Sequence, residues 1–562
     1  MRKSFGIVAG MLCGLSAFAA PAGENEVLTA EVAPPDHPDN ACAALANLKL
    51  DQVDFERVAS VAAGAPVPGA VIAGLPGAGG PVSGLPSFCR VIGHIHPEPG
   101  SDIVFEVWMP SQSWDGRMNG AGNGGFAGPM AYMDLAAAVK AGQVGTSTNT
   151  GHDGNGVQSD WAKGHPERIR DYGWRAIHLT ALIAKKLIAS FYGRGPDHSY
   201  FMSCSNGGRQ ALMEASRFPD DYDGILAGAP AANFTDLGLS MIGTVQAQLP
   251  AGAVINAEQA HLLQDEVLRQ CDALDGQSDG LVADPRRCRI DVSKLACGTS
   301  NSAQCFTVPQ LEALRNIYAG PRDASGRRVA PGYPPSGAEV GVPAYLGWDG
   351  WIFEGKGPHL HSIFGKGLLG DLIASPFATP ETFDFSKDPK KFKAALSADL
   401  DVNPNLRQFF ERGGKVILYH GWADAAIPPQ LSIAFRDSAL RASGPKAKDS
   451  MRLFMVPGMQ HCFAGPGPAA FGQMGAPLPA DTPESNVAAA LQAWVETRRT
   501  PESLIGHYGL PYALATSAST ASAAPRRERF LCAFPAEAVL RHGGNPDSAG
   551  DYSCTTMQPA RR

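Results

Sequence analysis

A serine, an aspartate and a histidine each follow a strand-like segment in this chain, and together they could carry out nucleophilic acyl transfer. The serine is Ser205, in the small-residue turn Ser203-Cys204-Ser205-Asn206-Gly207-Gly208. Before it, Tyr200-Phe201-Met202 reads as the end of a buried strand; after it, residues 209–217 read as a helix. Such a turn lifts a hydroxyl off a sheet, and glycines let the backbone pass close behind it. The helix N-terminus aims free N–H groups at any charge that develops there. Ser203 stands where the G-x-S-x-G pattern has its first glycine. A serine needs a base, and the base needs an orienting carboxylate. The strand-like run 415–420 leads to Asp424, the candidate acid, and the run 452–456 leads to His461, the candidate base. Serine, acid and base come in the order expected when each follows a strand of one α/β sheet. His420 reads as a core histidine, and His507 follows no clear strand.

The cysteines bear on the same residues. Arg2 and Lys3 precede an apolar run from Phe5 to Phe18, and small residues follow, so residues 1–20 read as a secretory signal peptide. Its removal leaves Cys42, Cys89, Cys204, Cys271, Cys288, Cys297, Cys305, Cys462, Cys532 and Cys554, an even set that implies disulfides in an exported chain. Proximity pairs 271 with 288, 297 with 305 and 532 with 554, leaving 42, 89, 204 and 462 for longer bridges. Cys204 directly precedes the candidate nucleophile and Cys462 directly follows the candidate base. If Ser205 and His461 are within hydrogen-bond reach, these two cysteines are close enough to bridge.

The elements that must position these groups can be read around them. The chain has 562 residues, 44% of them hydrophobic, enough for more than one core. A net charge of −7 offers no attraction for nucleic acid or an anionic membrane. Residues 103–109 alternate as a strand. Residues 174–191 form an amphipathic helix on Ile177, Ala181, Ala184, Ile188 and Phe191, with His178 a structural histidine. Helix, strand, turn and helix in succession indicate an α/β sheet, and 223–230 is its next core strand. From 233 to 405 the pattern changes to helical pieces, cysteine loops and a Gly/Trp/Phe-rich stretch. We therefore read 21–232 and 406–562 as two parts of one core, with 233–405 inserted.

Two loops invite ligands. The glycine-rich stretch 118–126 lacks the spacing and the lysine of a phosphate cradle, and suits backbone N–H groups brought close to a reacting atom. The loop 271–281 gathers three carboxylates within eight residues, which suits calcium, although its spacing is not that of an EF-hand. No His/Cys cluster has zinc spacing.

Cys204-Ser205-Asn206-Gly207-Gly208, Asp424 and His461-Cys462 resemble the Cys-Ser…Asp…His-Cys arrangement of the tannase and feruloyl esterase family, which includes mono(2-hydroxyethyl) terephthalate hydrolases. The resemblance extends to Gly122-Asn123-Gly124-Gly125-Phe126, Asn149-Thr150-Gly151-His152-Asp153 and the inserted region. It implies an α/β-hydrolase fold with a large inserted lid and a serine esterase acting on small aromatic carboxylic esters. It implies oxyanion donors at the N–H of Asn206 and in the 122–125 loop, with Asn123 favoured and Gly124 next. It also implies a structural Ca2+ in the lid, held by Asp272, Asp275 and Asp279 through side chains and by Gln277 and Leu281 through carbonyls. For substrate, Tyr345, Trp348, Trp351, Phe353 and Phe364 could offer flat apolar surface, most of them more simply as lid core. Lys366 lies near where terephthalate-ester relatives carry an arginine, and it lacks the bidentate fork. A feruloyl or galloyl ester is therefore expected over a terephthalate monoester. A calcium-stabilised extracellular binding protein on the same scaffold is the alternative of another class.

Overall fold

The computed structural model describes residues 38–69, 80–298, 304–342, 345–355, 357–373, 378–475, 481–509 and 527–556. The expected signal peptide, residues 1–20, lies outside them.

Nine strands form one mixed sheet: β1 (Val53–Val61), β2 (Phe88–Ile95), β3 (Ile103–Pro110), β4 (Arg117–Gly120), β5 (Val144–Thr148), β6 (His198–Cys204), β7 (Gly224–Gly228), β8 (Lys415–Gly421) and β9 (Met451–Val456). Their spatial order is β1-β2-β3-β5-β4-β6-β7-β8-β9. The first four neighbours pair antiparallel, and every pair from β5 onward is parallel. The parallel strands are buried on both faces, as crossovers by helices require. Helices that pack on the sheet include α1 (Tyr132–Lys140), α2 (Ala176–Tyr192) and α3 (Asn206–Arg217). This is an α/β-hydrolase fold.

Two readings from the sequence need correction. The alternation seen in 103–109 predicts one wet face, yet β3 is buried at all but one position. Phe105, Val107 and Met109 enter the main core, while Trp108 packs with Phe88 and α1 on the opposite face. The polar member, Glu106, is buried against Arg90 at 2.8–2.9 Å and accepts from Trp108 Nε1 at 2.7 Å. His507, in turn, does close a strand: β10 (Ser503–His507) pairs with β11 (Glu528–Cys532), and β12 (Ala536–Leu540) pairs with β13 (Tyr552–Thr556). These two small sheets lie outside the nine-stranded one.

Between β7 and β8 no described residue joins the main sheet. This stretch carries α4 (Phe234–Ala247), α5 (Gln259–Cys271), α6 (Val308–Ala319), α7 (Leu360–Gly370) and α8 (Pro389–Leu400). It has two cores, one around Phe234, Phe364 and Phe392 and one around Trp348 and Phe353. Five disulfides are present: 42–89, 204–462, 271–288, 297–305 and 532–554.

Candidate active site

The carboxyl ends of β6, β8 and β9 open on one edge of the sheet, only a strand or two apart, where ligands of open α/β sheets bind. Ser205 follows β6, Asp424 follows β8 and His461 follows β9. A single edge thus gathers residues 256 positions apart.

Ser205 is held at φ 65°, ψ −127°, a conformation that non-glycine residues rarely adopt. Its N–H donates to Gly228 O at 2.9 Å, and its carbonyl accepts from Arg209 and Ala231. A Cβ on Gly207 would collide with Ser203 Oγ, and one on Gly208 would lie 2.5 Å from Gly228 O. Glycine is therefore required at both positions. The missing first glycine is accommodated because the Ser203 side chain rests where Gly207 has none.

His461 Nε2 lies 2.9 Å from Ser205 Oγ, and His461 Nδ1 lies 2.8 Å from Asp424 Oδ2. The other carboxylate oxygen of Asp424 accepts the N–H groups of Ala426 (2.8 Å) and Ile427 (2.9 Å). His420 was legible only as a core histidine, and it does more. Its Nε2 faces two acceptors, Asp424 Oδ2 at 3.1 Å and Ile427 O at 3.1 Å, so Nε2 carries the proton and Nδ1 accepts from Ser432 Oγ. Burial opposes the Asp424 charge, but His461 and His420 together hold the carboxyl well below its usual range.

Asn206 opens α3, and its side chain is fixed at both ends: Oδ1 accepts from Arg209 Nε at 2.8 Å, and Nδ2 donates to Asn123 O at 3.2 Å. Arg209, fully buried beneath the turn, also donates to the carbonyls of Tyr172 and Gly173. The glycine loop is pinned from several sides. Tyr172 Oη donates to Gly125 O, and His152, kept neutral by burial at about 4, donates from Nε2 to Phe126 O.

Asn123 does not fit the donor role expected for it. Its N–H donates to Gln210 Oε1 at 3.1 Å, and its side chain binds Thr148 O, Pro129 O and Gln210 Nε2. It ties the loop to α3. Gly124 is exposed, a Cβ there would meet only open space, and its N–H has no backbone acceptor among the described residues. Of the two donors expected in this loop, the N–H of Gly124 is the one left free.

A cavity of about 510 Å³ opens over Ser205 and His461. Trp351 and Phe364 both line it, stacked at 6.0 Å, and Trp351 meets the His461 ring edge-on at 5.7 Å. Tyr345 lines it as well, packs on Phe463 and donates to His461 O. Trp348 and Phe353 are lid core. Lys366 does not reach the cavity: it borders a separate depression and faces Glu381 at 4.0 Å. It sits on the solvent side of α7, whereas Phe364 points inward. Asp134, not foreseen from sequence, lines the wall from α1, and burial of its carboxyl pushes it up to about 7 even though the residue is half-buried overall.

Cys204 and Cys462 join the turn of Ser205 to the loop of His461, Cα to Cα 5.9 Å apart. Cys462 has φ 67°, so the bond anchors a strained residue beside the base. Chain entropy for a separation of 258 residues bounds the stabilisation at about 5–6 kcal/mol. Positional error at the reacting atoms weighs more, since about 1 Å can cost ~10²-fold in rate. Cys204→Ala/Cys462→Ala is expected to lose about 100-fold in kcat/KM while remaining folded, whereas Cys297→Ala/Cys305→Ala keeps near-full activity. Equal activity losses in the two double variants would show that the 204–462 bond does not hold the site.

The acidic loop keeps its carboxylates inward. Asp272 accepts from the N–H of Asp279 and Gly280, Asp275 from that of Gln277, and Asp279 from that of Leu281. Buried Arg529, from β11, meets Asp279 at 2.9 Å and Asp275 at 3.0 Å. One guanidinium thus faces two of three carboxylates. The carbonyls of Gln277 and Leu281 accept no backbone N–H among the described residues. All donors are oxygen, as a hard cation requires. The fit is one of donor type: the three carboxylates are not all within 4.8 Å of one another.

The profile of the family described as Tannase and feruloyl esterase matches residues 89–555. An uncharacterized esterase of Xanthomonas campestris pv. campestris is 34% identical over 543 residues, 92% of this chain and 91% of that protein. A probable feruloyl esterase B-2 of Aspergillus flavus is 33% identical, over 75% of this chain and 80% of that protein. Among solved structures, feruloyl esterase B from Aspergillus oryzae superposes with a TM-score of 0.78 at 26% identity, covering 92% of this chain and all of that one.

Proposed function

This chain belongs to the tannase and feruloyl esterase family, and from that premise we propose that it is an exported serine esterase of feruloyl or galloyl esters using Ser205, His461 and Asp424. That it is a carboxylic ester hydrolase follows from the family itself. The observation that carries the finer reading is the unbroken line Ser205 Oγ–His461 Nε2 and His461 Nδ1–Asp424 Oδ2 beneath an aromatic-walled cavity.

In this mechanism Ser205 Oγ attacks the ester carbonyl carbon as His461 Nε2 takes the hydroxyl proton. Negative charge on the carbonyl oxygen faces the N–H groups of Asn206 and Gly124. Collapse breaks the acyl–oxygen bond, and His461 returns its proton to the leaving alcohol. Water then repeats the sequence on the acyl-enzyme and frees Ser205. Trp351 and Phe364 stack against the aromatic acid, and Asp134 can accept a hydrogen bond from a hydroxylated substrate. Lys366, outside the cavity, cannot pair with the carboxylate of a terephthalate monoester. Five disulfides support export to an oxidising compartment.

The test is a turnover panel of methyl ferulate, methyl gallate and mono(2-hydroxyethyl) terephthalate. The expected order places at least one of the first two about tenfold or more above the third in kcat/KM. Trp351→Ala should lower turnover of the preferred aromatic ester more than that of p-nitrophenyl acetate, whose acyl group has no ring to stack. A terephthalate monoester as the best substrate would overturn the preference.

The loop 271–281 is proposed to hold Ca2+ through Asp272, Asp275, Asp279 and the carbonyls of Gln277 and Leu281, as a structural ion that takes no part in the acyl transfer. Calcium at about 100 times its Kd adds roughly 2.7 kcal/mol to stability. Tight chelation should therefore lower Tm, and Asp275→Ala should make Tm insensitive to chelator. Identical melting curves with and without buffered calcium would remove the ion from the account.

A further inference from the structure

We propose that His178, Glu214 and Asp221 form a second metal site, for a first-row divalent ion of the zinc type, which clamps the helix of the nucleophile from behind. The three come from different elements: His178 from α2, Glu214 from α3 and Asp221 from the turn before β7. One ligand atom from each lies within 4.8 Å of the other two, the only such group among the described residues. His178 Nδ1 is 2.6 Å from Asp221 Oδ2, and its ring is fixed by stacking on Phe218 at 3.6 Å.

Glu214 points to a ligand. Its residue is 1% exposed, and neither carboxylate oxygen meets an N–H or hydroxyl donor, its near polar neighbour being the Asp221 carboxyl. A buried carboxylate without donors costs several kcal/mol. Beside it Asp221, 5% exposed, carries a second carboxylate. Lys185, also on α2, lies near both acids, but its Nζ donates to Asp220 O at 3.2 Å and leaves Glu214 unmet. Either a shared proton or a cation must therefore sit between the acids, and the imidazole nitrogen beside them supplies the third ligand atom that a cation would use.

The donor set decides the class of ion. One imidazole nitrogen and two carboxylates suit zinc and its first-row neighbours, whereas calcium and magnesium take oxygen alone. Bonds of about 2.0–2.1 Å place ligands about 3.4 Å apart, so His178 Nδ1 and Asp221 Oδ2, now 2.6 Å apart, would part by under about 1 Å to admit the ion, and Glu214, within 4.8 Å of both, would close by no more than about 1.4 Å. Of the three ligands His178 alone reaches solvent, with about a fifth of its side chain exposed. Glu214 lies nine residues beyond Ser205, about 13 Å along the helix, too far to touch substrate. The ion would hold α3 against α2 and the turn into β7, and so support the strained turn at Ser205.

The test uses the full-length chain with calcium saturating and His94→Ala/His96→Ala as background, since those two surface histidines face acidic groups of their own. After chelation and dialysis, Co2+ is titrated while its visible d–d bands are followed, and Zn2+ is titrated with Tm as readout. One equivalent of Co2+ should give the bands, Zn2+ should displace it, and Zn2+ should raise Tm by a few degrees. Glu214→Gln, which preserves shape and can donate to Asp221, should fold, hydrolyse methyl ferulate and lose both signals; His178→Gln should lose them too. Unaltered Co2+ bands in Glu214→Gln, or a parent protein without bands or Zn2+ shift, would overturn the site and leave a proton shared by two acids.

Discussion

Ser205→Ala is expected to abolish ester turnover, by a factor on the order of 10⁶ in kcat, with the fold retained. The side chain makes no structural hydrogen bond besides that to His461 Nε2, so its loss leaves no buried group stranded. The φ 65° backbone is the strained feature, and alanine inherits it with the same Cβ. The measurement is methyl ferulate hydrolysis by pure variant, checked by mass spectrometry, with Tm alongside. Retention of more than a few per cent of parental activity in a folded variant would eliminate Ser205 as the nucleophile.

Asp424→Asn is expected to cost about 10⁴-fold in kcat, if triads of this kind behave alike. The geometry here gives the reason. One carboxylate oxygen accepts two backbone N–H groups and the other accepts from two imidazoles, so every neighbour is a donor. An amide NH2 must face one of these pairs. Turned to the backbone, it opposes Ala426 and Ile427 N–H; turned to the histidines, it forces His461 to accept at Nδ1 and to present Nε2–H to Ser205. In that tautomer His461 cannot take the serine proton. The loss should appear in kcat with KM little changed, because Asp424 is buried behind His461 and does not line the cavity. An Asp424→Asn protein within tenfold of the parent would show that His461 is oriented by other groups.

The lid separates what local pattern can say from what packing decides. Trp351, Phe364 and Lys366 were all candidates for substrate contact, from one Gly/Trp/Phe-rich stretch of fifteen or so residues. In the fold, Phe364 and Lys366 stand two residues apart on α7, and two steps of a 3.6-residue helix place them on different faces. Phe364 enters the cavity, and Lys366 faces solvent and Glu381. Without knowing which side of α7 is covered, the sequence could not choose between them. Asn123 and Gly124 differ by a single peptide, and only the position of Gln210 on α3 shows which N–H is already taken.

What the sequence determined by itself was whatever depends on neighbours along the chain. The turn at 203–208 shows its nature because a strand, small residues and a helix must follow one another there. Asp424 and His461 stand out because each comes directly after an apolar run that can only be a buried strand. Cys204 and Cys462 were tied to the site by adjacency alone. Tertiary structure decided the contacts made across the chain. It gave Asp424 a second imidazole from His420, set Arg209 beneath Asn206, and brought Arg529 from β11 to the acidic loop 254 residues earlier. It also gathered His178, Glu214 and Asp221, whose spacing resembles no metal motif, because ligands drawn from two helices and a turn acquire their geometry only when those elements pack.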